Sequence, residues 1–221
     1  VLNFLSNLEI EKSQHDITKH TGVSKAILKD MVQKNLIQER KVFKKLNLDY
    51  NFLKNSEDNK KNYDFLNFEQ KSAVDRINDS IINSKSDCFL LDGVPGSGKT
   101  ETYFETVRTC LDQGKQALIL LPEIVLTPDW EKRFLKKFSF APLVWNSEIT
   151  KKKKKKIWLS ALNGTAGVIV GARSALMIPI SNLGLIIVDE EHEQAFKQEE
   201  NVRYNARDMA IFRSSRSSAP I

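Results

Sequence analysis

From Leu66 onward, short apolar runs alternate with longer stretches in which apolar and polar positions mix. The runs at 89–92, 116–121, 143–145, 168–170 and 185–189 are too short for helices and read as strands. The stretches at 69–83, 99–112, 128–138, 151–162 and 207–213 read as helices between them. Continuous apolar strands separated by helices predict an α/β fold, a parallel sheet covered on both faces. Ligands of such sheets bind at the carboxyl ends of the strands.

The first 45 residues differ: helices with short joints. Ser13-Gln14-His15-Asp16 is a capping-box variant at a helix start. Residues 17–27 have a helix-turn-helix rhythm, with Gly22 at the turn and Ser24 capping the second helix. Ile27, Met31 and Leu36 fall on one face, and Leu36-Ile37 leads into a wing strand. Residues 1–50 therefore resemble a winged-helix module. No arginine stands near the presumed recognition helix, so base reading is not expected; Lys25, Lys29 and Lys34 are placed for phosphates. Residues 54–64 are almost wholly polar, and 51–65 are read as an exposed linker to the main domain, 66–221.

The sharpest chemical signal lies after the first strand. Gly93-Val94-Pro95-Gly96-Ser97-Gly98-Lys99-Thr100 fits the phosphate-binding loop pattern G-x-x-x-x-G-K-[ST], between an apolar run and a helix. Gly93, Gly96 and Gly98 allow backbone N–H groups, that of Ser97 among them, to crowd around an anion. Lys99 reaches the β- and γ-phosphates of ATP, and the Thr100 hydroxyl ligates Mg²⁺. Glycine turns also join strands to helices without a ligand, but that does not explain the Lys-Thr pair. The second half of a nucleotide site follows the apolar run 185–188, as Asp189-Glu190-Glu191-His192. Asp189 stands where a strand-end carboxylate holds Mg²⁺, and Glu190 where a carboxylate polarises the attacking water.

Composition narrows this further. The net charge is +6, and Lys151 to Lys156 supply six of the 34 basic residues; the remaining 28 match 28 acidic ones. The excess is thus one basic hotspot, for which a nucleic-acid backbone is the obvious partner. Six consecutive helical residues nevertheless wrap the whole circumference, so they form no single stripe. There is no apolar stretch of membrane-spanning length and no leader pattern. Cys88 and Cys110 are isolated and are expected to be buried thiols in a reducing compartment, not a metal site.

Four more segments add detail. Leu66-Asn67-Phe68-Glu69-Gln70 resembles the short glutamine motif with which many helicases recognise adenine, an amide pairing with both the donor and acceptor edges of that base; taken alone, Gln70 is an exposed helix-start residue. Leu121 to Pro128 follows the second strand, where Thr127 and Pro128 suit the N-cap and first turn of a helix, an anion-binding end. Arg173 in Gly171-Ala172-Arg173-Ser174-Ala175 ends the fourth strand, a candidate phosphate contact. Phe196-Lys197-Gln198 and Arg203-Tyr204-Asn205-Ala206-Arg207-Asp208 form an aromatic, basic loop beside the carboxylates, suited to stacking on unpaired bases.

In order and spacing across 66–221 these motifs closely resemble the bacterial primosomal replication-restart helicases, superfamily-2 DNA motors. The resemblance implies a P-loop, RecA-like first motor lobe behind a winged helix, with ATP and Mg²⁺ as cofactors. It implies 3′-to-5′ unwinding, single-stranded and forked DNA as substrate, primosome and single-strand-binding proteins as partners, and a bacterial cytoplasmic location. Gly98, Lys99, Thr100, Asp189 and Glu190 would form the ATP–Mg²⁺ site; Phe196, Lys197, Tyr204 and Arg207 would couple DNA to hydrolysis.

Pro95 stands where the family usually has Thr, Trp145-Asn146-Ser147 replaces Leu-His-Ser, Ala172 replaces Thr, Phe196 replaces Tyr and Asn205 replaces His. The resemblance also makes the chain a fragment: a 3′-end-binding domain, a second lobe and a zinc module would lie outside it. On that expectation the piece alone would hydrolyse ATP poorly. Two readings compete: a non-motor P-loop module that holds nucleic acid, and another superfamily-2 translocase such as a branch-migration helicase.

Overall fold

A computed structural model describes residues 1–2, 5, 14–39, 66–122, 124–199 and 202–221. The chain divides into two compact units, residues 1–44 and 45–221.

In the first unit, helices α1 (Gln14–Thr21) and α2 (Lys25–Gln33) are joined through Gly22, whose φ of +67° is the left-handed turn expected of it. Ser24 occupies the N-cap of α2 but makes no side-chain capping bond. The buried face is one residue off the expected one. Leu28 and Ile17 are buried, whereas Ile27 and Leu36 are each 52% exposed. Half-buried Met31 and Val32 lie three and four residues after Leu28, so the inward stripe runs through Leu28 instead of Ile27. Residues 34–39 form a turn and bends with no strand; Ser13, any wing within 40–65 and the linker at 51–65 lie outside the described residues.

The second unit is built on a parallel sheet with the order β2 (Leu143–Trp145), β3 (Val168–Gly171), β1 (Gln116–Leu120), β4 (Leu183–Val188). Leu118 of β1 faces Ile169 on one side and Ile186 on the other. Alternate strand residues enter two cores, as a two-sided sheet demands. Ala117, Ile119, Val168, Val170 and Leu185 pack with α4 (Lys99–Asp112) and α5 (Pro128–Phe138). Leu118, Leu120, Ile169 and Ile186 pack with α6 (Lys151–Leu162) and α7 (Ala206–Ser217).

The aromatic spacing of α5, Trp130-Phe134-Phe138, is four residues, so the rings form one stripe. Phe104 of α4 sits against all three edge-on, each at a centroid distance of 5.6 Å. Helix α3 (Phe68–Ile82) buries Val74 and Ile81 beside α4 and opens with a full capping box between Asn67 and Gln70.

The expected strand at 89–92 is an extended segment with a single short pairing. Phe89 N–H donates to the Ile221 carbonyl (2.8 Å), and Ile221 N–H to the Asp87 carbonyl (3.0 Å). Ile186 N–H of β4 donates to the Pro220 carbonyl, so residues 220–221 lie between β4 and this segment. Little packs over its sides: Leu90 is 80% exposed. Cys88, expected buried, is exposed for the same reason, while Cys110 is fully buried.

Candidate nucleotide site

The loop from Gly93 to Thr100 runs from the 87–92 segment into α4. Gly98 forms the N-cap of α4 at φ +83°, and Gly96 is at φ +81°. The positive φ favours glycine at 98, and a Cβ there would come within 2.5 Å of Gln70 Nε2 and push that side chain aside. The Lys99 ammonium donates to the Gly93 carbonyl, folding its side chain back over the loop.

Gln70 is in the site, with a structural task not foreseen. Its Oε1 accepts from Asn67 N–H and its Nε2 donates to the Ser97 carbonyl at 2.7 Å. The amide therefore pins the loop to the start of α3. Pairing with adenine would use its second proton and second lone pair.

Asp189 follows β4 and its N–H donates to Leu120, which sets it at the carboxyl end of the sheet. Both carboxylate oxygens are engaged: Oδ1 accepts from Glu190 N–H (3.0 Å) and Oδ2 from the Tyr103 hydroxyl (3.1 Å). Burial pushes the Asp189 carboxyl above its ordinary range; the Tyr103 bond pulls it down and the neighbouring Glu190 charge pushes it up. Tyr103 is raised by burial and then by the Asp189 charge, so it stays protonated and donates. Its oxygen also receives Trp130 Nε1 at 2.8 Å, and Thr100 stands one helical turn before it on α4. Tyr103, one turn after Thr100 of the loop, thus ties α4 to the carboxylate at the strand end. The Thr100 hydroxyl and the Asp189 carboxylate are hard oxygen donors of the kind that suits a small divalent cation. Among the described residues no group of three His, Cys, Asp or Glu side chains is arranged to hold a metal ion.

Glu190 adopts φ +50°, left-handed for a residue with a Cβ, a strain on the order of 1 kcal/mol. Its carbonyl accepts from Glu193 N–H, closing the turn that holds this conformation. Such strain is kept where the surroundings over-determine it, often at functional sites. His192 Nε2 lies 3.7 Å from Glu190 Oε2, both side chains being largely exposed.

The loop beyond is organised by ion pairs and a short hairpin. Arg207 bonds Glu191 at 2.8 Å and Asp208 at 3.0 Å, tying α7 to the residue after Glu190. Strands β5 (Lys197–Gln198) and β6 (Tyr204–Asn205) pair antiparallel, and Arg173 donates to the Lys197 carbonyl. Here one expectation fails. Phe196 is 1% exposed and belongs to the core under α7, so it has no face for a base. The hairpin folds it inward, and its ring replaces solvent-facing stacking with packing. Tyr204 is half-buried against the same core, while the Lys197 side chain is exposed.

Thr127 caps α5 as expected, accepting from Trp130 N–H with Pro128 following. Asp129 and Glu131 stand in the same first turn and place negative charge where a phosphate would bind. The lysine run forms the first half of α6. Five of the six lysines are exposed, and Lys154 Nζ lies 5.9 Å from the Trp145 ring centre. Among the described residues no helix is long and apolar enough to cross a membrane.

Tyr103 and Trp130 did not emerge from the sequence as site residues. The spacing of Thr100 and Tyr103, one helical turn, was a usable signal for the first. Nothing in sequence announces a contact to Trp130, 27 residues further on.

A family model described as DEAD/DEAH box helicase matches residues 68–219. The chain is similar to the "Replication restart protein PriA" of Rickettsia felis, 46% identical over 156 residues, covering 71% of this chain and 23% of that protein. The protein of that name from Bacillus subtilis is 37% identical over 208 residues, covering 93% of this chain and 25% of its own length. That from Haemophilus influenzae is 37% identical over 211 residues, 95% of this chain and 28% of its own length. The chain thus spans about a quarter of the length of these relatives. With loop, strand-end carboxylates and parallel sheet all in the matched region, the chain belongs to the DEAD/DEAH box helicase family.

Proposed function

We propose that residues 66–221 are the ATP-binding lobe of a DNA motor that binds single-stranded and forked DNA, unwinds duplex in the 3′-to-5′ direction and serves replication restart, with residues 1–50 a winged-helix module. The observation that supports the nucleotide part is the bond from the Tyr103 hydroxyl to Asp189, which ties the helix of the glycine loop to the strand-end carboxylate. The restart role is supported by the names of the relatives.

Loop N–H groups from Gly93 to Thr100 would cradle the phosphates, and Lys99 would leave the Gly93 carbonyl for a phosphate oxygen. Thr100 and Asp189 would hold Mg²⁺, which neutralises charge on the phosphates when bound. Glu190, held in its strained turn, would orient the attacking water. Gln70 would read adenine with its remaining proton and lone pair while keeping hold of Ser97. Thr127, Arg173, Lys197, Tyr204 and Arg207 are the candidate DNA-side and coupling residues. The Arg207–Glu191 pair is the link between that loop and the carboxylates. Primosome and single-strand-binding proteins are the proposed partners.

Lys99→Ala in the protein carrying this chain tests the assignment. ATP-dependent strand displacement should be lost while DNA binding stays nearly intact. Unwinding that survives the change would remove the motor from this site.

A further inference from the structure

Tyr103 is buried, and its hydroxyl meets partners from two directions. Trp130 Nε1 is 2.8 Å away on α5 and Asp189 Oδ2 is 3.1 Å away after β4, while Thr100 lies one turn back on α4. A phenylalanine would satisfy the ring packing, edge-on to Phe104 at 5.2 Å. The hydroxyl is therefore what this position adds.

Proton inventory sets the direction of each bond. An indole N–H only donates, and an ionised carboxylate only accepts. The one phenolic proton then belongs to Asp189, and the Tyr103 oxygen accepts from Trp130. Asp189 is held at both oxygens, by Tyr103 at Oδ2 and by Glu190 N–H at Oδ1, with one lone pair remaining on each. A hard cation needs oxygens in that acceptor-only state.

We propose that Tyr103 is a positioning residue for the magnesium of the bound nucleotide, holding Asp189 lone-pair outward, and that Trp130 fixes Tyr103 in turn. This rests on the reading of Asp189 as the magnesium carboxylate. Partners one bond removed from a metal orient its ligands, and their loss weakens metal affinity roughly 10-fold or more.

The test follows binding, not turnover. A fluorescent, non-hydrolysable ATP analogue is titrated onto the chain across Mg²⁺ concentrations. Tyr103→Phe should raise the half-saturating Mg²⁺ about 10-fold and leave binding of the analogue in EDTA unchanged. Asp189→Asn separates the two claims. If it shifts the Mg²⁺ dependence and Tyr103→Phe does not, the positioning role is wrong and the magnesium reading stands. If neither shifts it, both fall. A second readout does not need Tyr103→Phe to fold. With Trp145→Phe and Trp158→Phe, Trp130 is the single tryptophan left of three. Its emission should shift when Mg²⁺ is added to the nucleotide-loaded chain, and an unmoved spectrum would overturn the relay.

Discussion

Gly98→Ala isolates how the loop is held. Two separate penalties are expected. The residue keeps φ +83°, which for alanine amounts to roughly 1 kcal/mol. Its Cβ would also lie 2.5 Å from Gln70 Nε2. Nε2 is the far end of a flexible side chain, so Gln70 swings aside, giving up its 2.7 Å bond to the Ser97 carbonyl. A hydrogen bond of this kind contributes about 1 kcal/mol. The total, about 2 kcal/mol, is read as a fall in the urea midpoint at unchanged slope. Gln70→Ala alone loses the Ser97 bond and half of the capping box, about 1 to 2 kcal/mol. In the double variant there is no Nε2 left to displace, and only the backbone penalty of Gly98→Ala remains. The double should therefore be more stable than the sum of the singles by about 1 kcal/mol. Strict additivity would show that Gln70 does not brace the loop through Ser97.

Phe104→Ala removes the ring at the centre of the α4–α5 contact, fully buried against Trp130, Phe134 and Phe138, and should lower stability by about 3 to 5 kcal/mol in urea unfolding. Glu190→Gly and Glu190→Ala both delete the carboxylate, but only glycine suits φ +50°; glycine should be the more stable by about 1 kcal/mol, and the opposite order of melting temperatures would contradict the strain. Thiol labelling at pH 8 should modify exposed Cys88 and spare Cys110 until denaturant is added. Burial pushes the Cys110 thiol up to about 12 from an ordinary 9.0, so its contribution to stability is intact below 9 and is lost as pH climbs toward 12.

Where the chain carries its own stop and start signals, pattern was sufficient. Helices α4, α5 and α6 begin at Lys99, Pro128 and Lys151, after a left-handed glycine, a Thr-Pro pair and a capping threonine. Helix α7 outruns its expected end at 213 because what holds it is tertiary. The Arg213 guanidinium donates to the carbonyls of Leu176 and Ile178, and Ser214 Oγ reaches Ala219. Serines at 214, 215 and 217 do not announce a helix on propensity alone. Phe196 and Cys88 failed in opposite directions for one reason. Their immediate neighbours in sequence describe neither a hairpin that turns a ring inward nor a strand with little packed over its sides.

The site divides along the same line. Residues that must touch the nucleotide carry their chemistry in their type and spacing, so Lys99, Thr100, Asp189 and Glu190 could be named from one strand of text. Residues that act on those residues carry no such mark. Tyr103 and Asp189 are 86 positions apart, Tyr103 and Trp130 27 apart, and neither aromatic is chemically required at its place by any local pattern. What selects them is a buried hydroxyl that gives its proton to Asp189 and accepts from Trp130, a condition that exists only once the sheet has brought α4, α5 and the end of β4 together. In a fold of this kind, the outer layer of the site is therefore to be found by following the proton of each buried donor outward from the carboxylate.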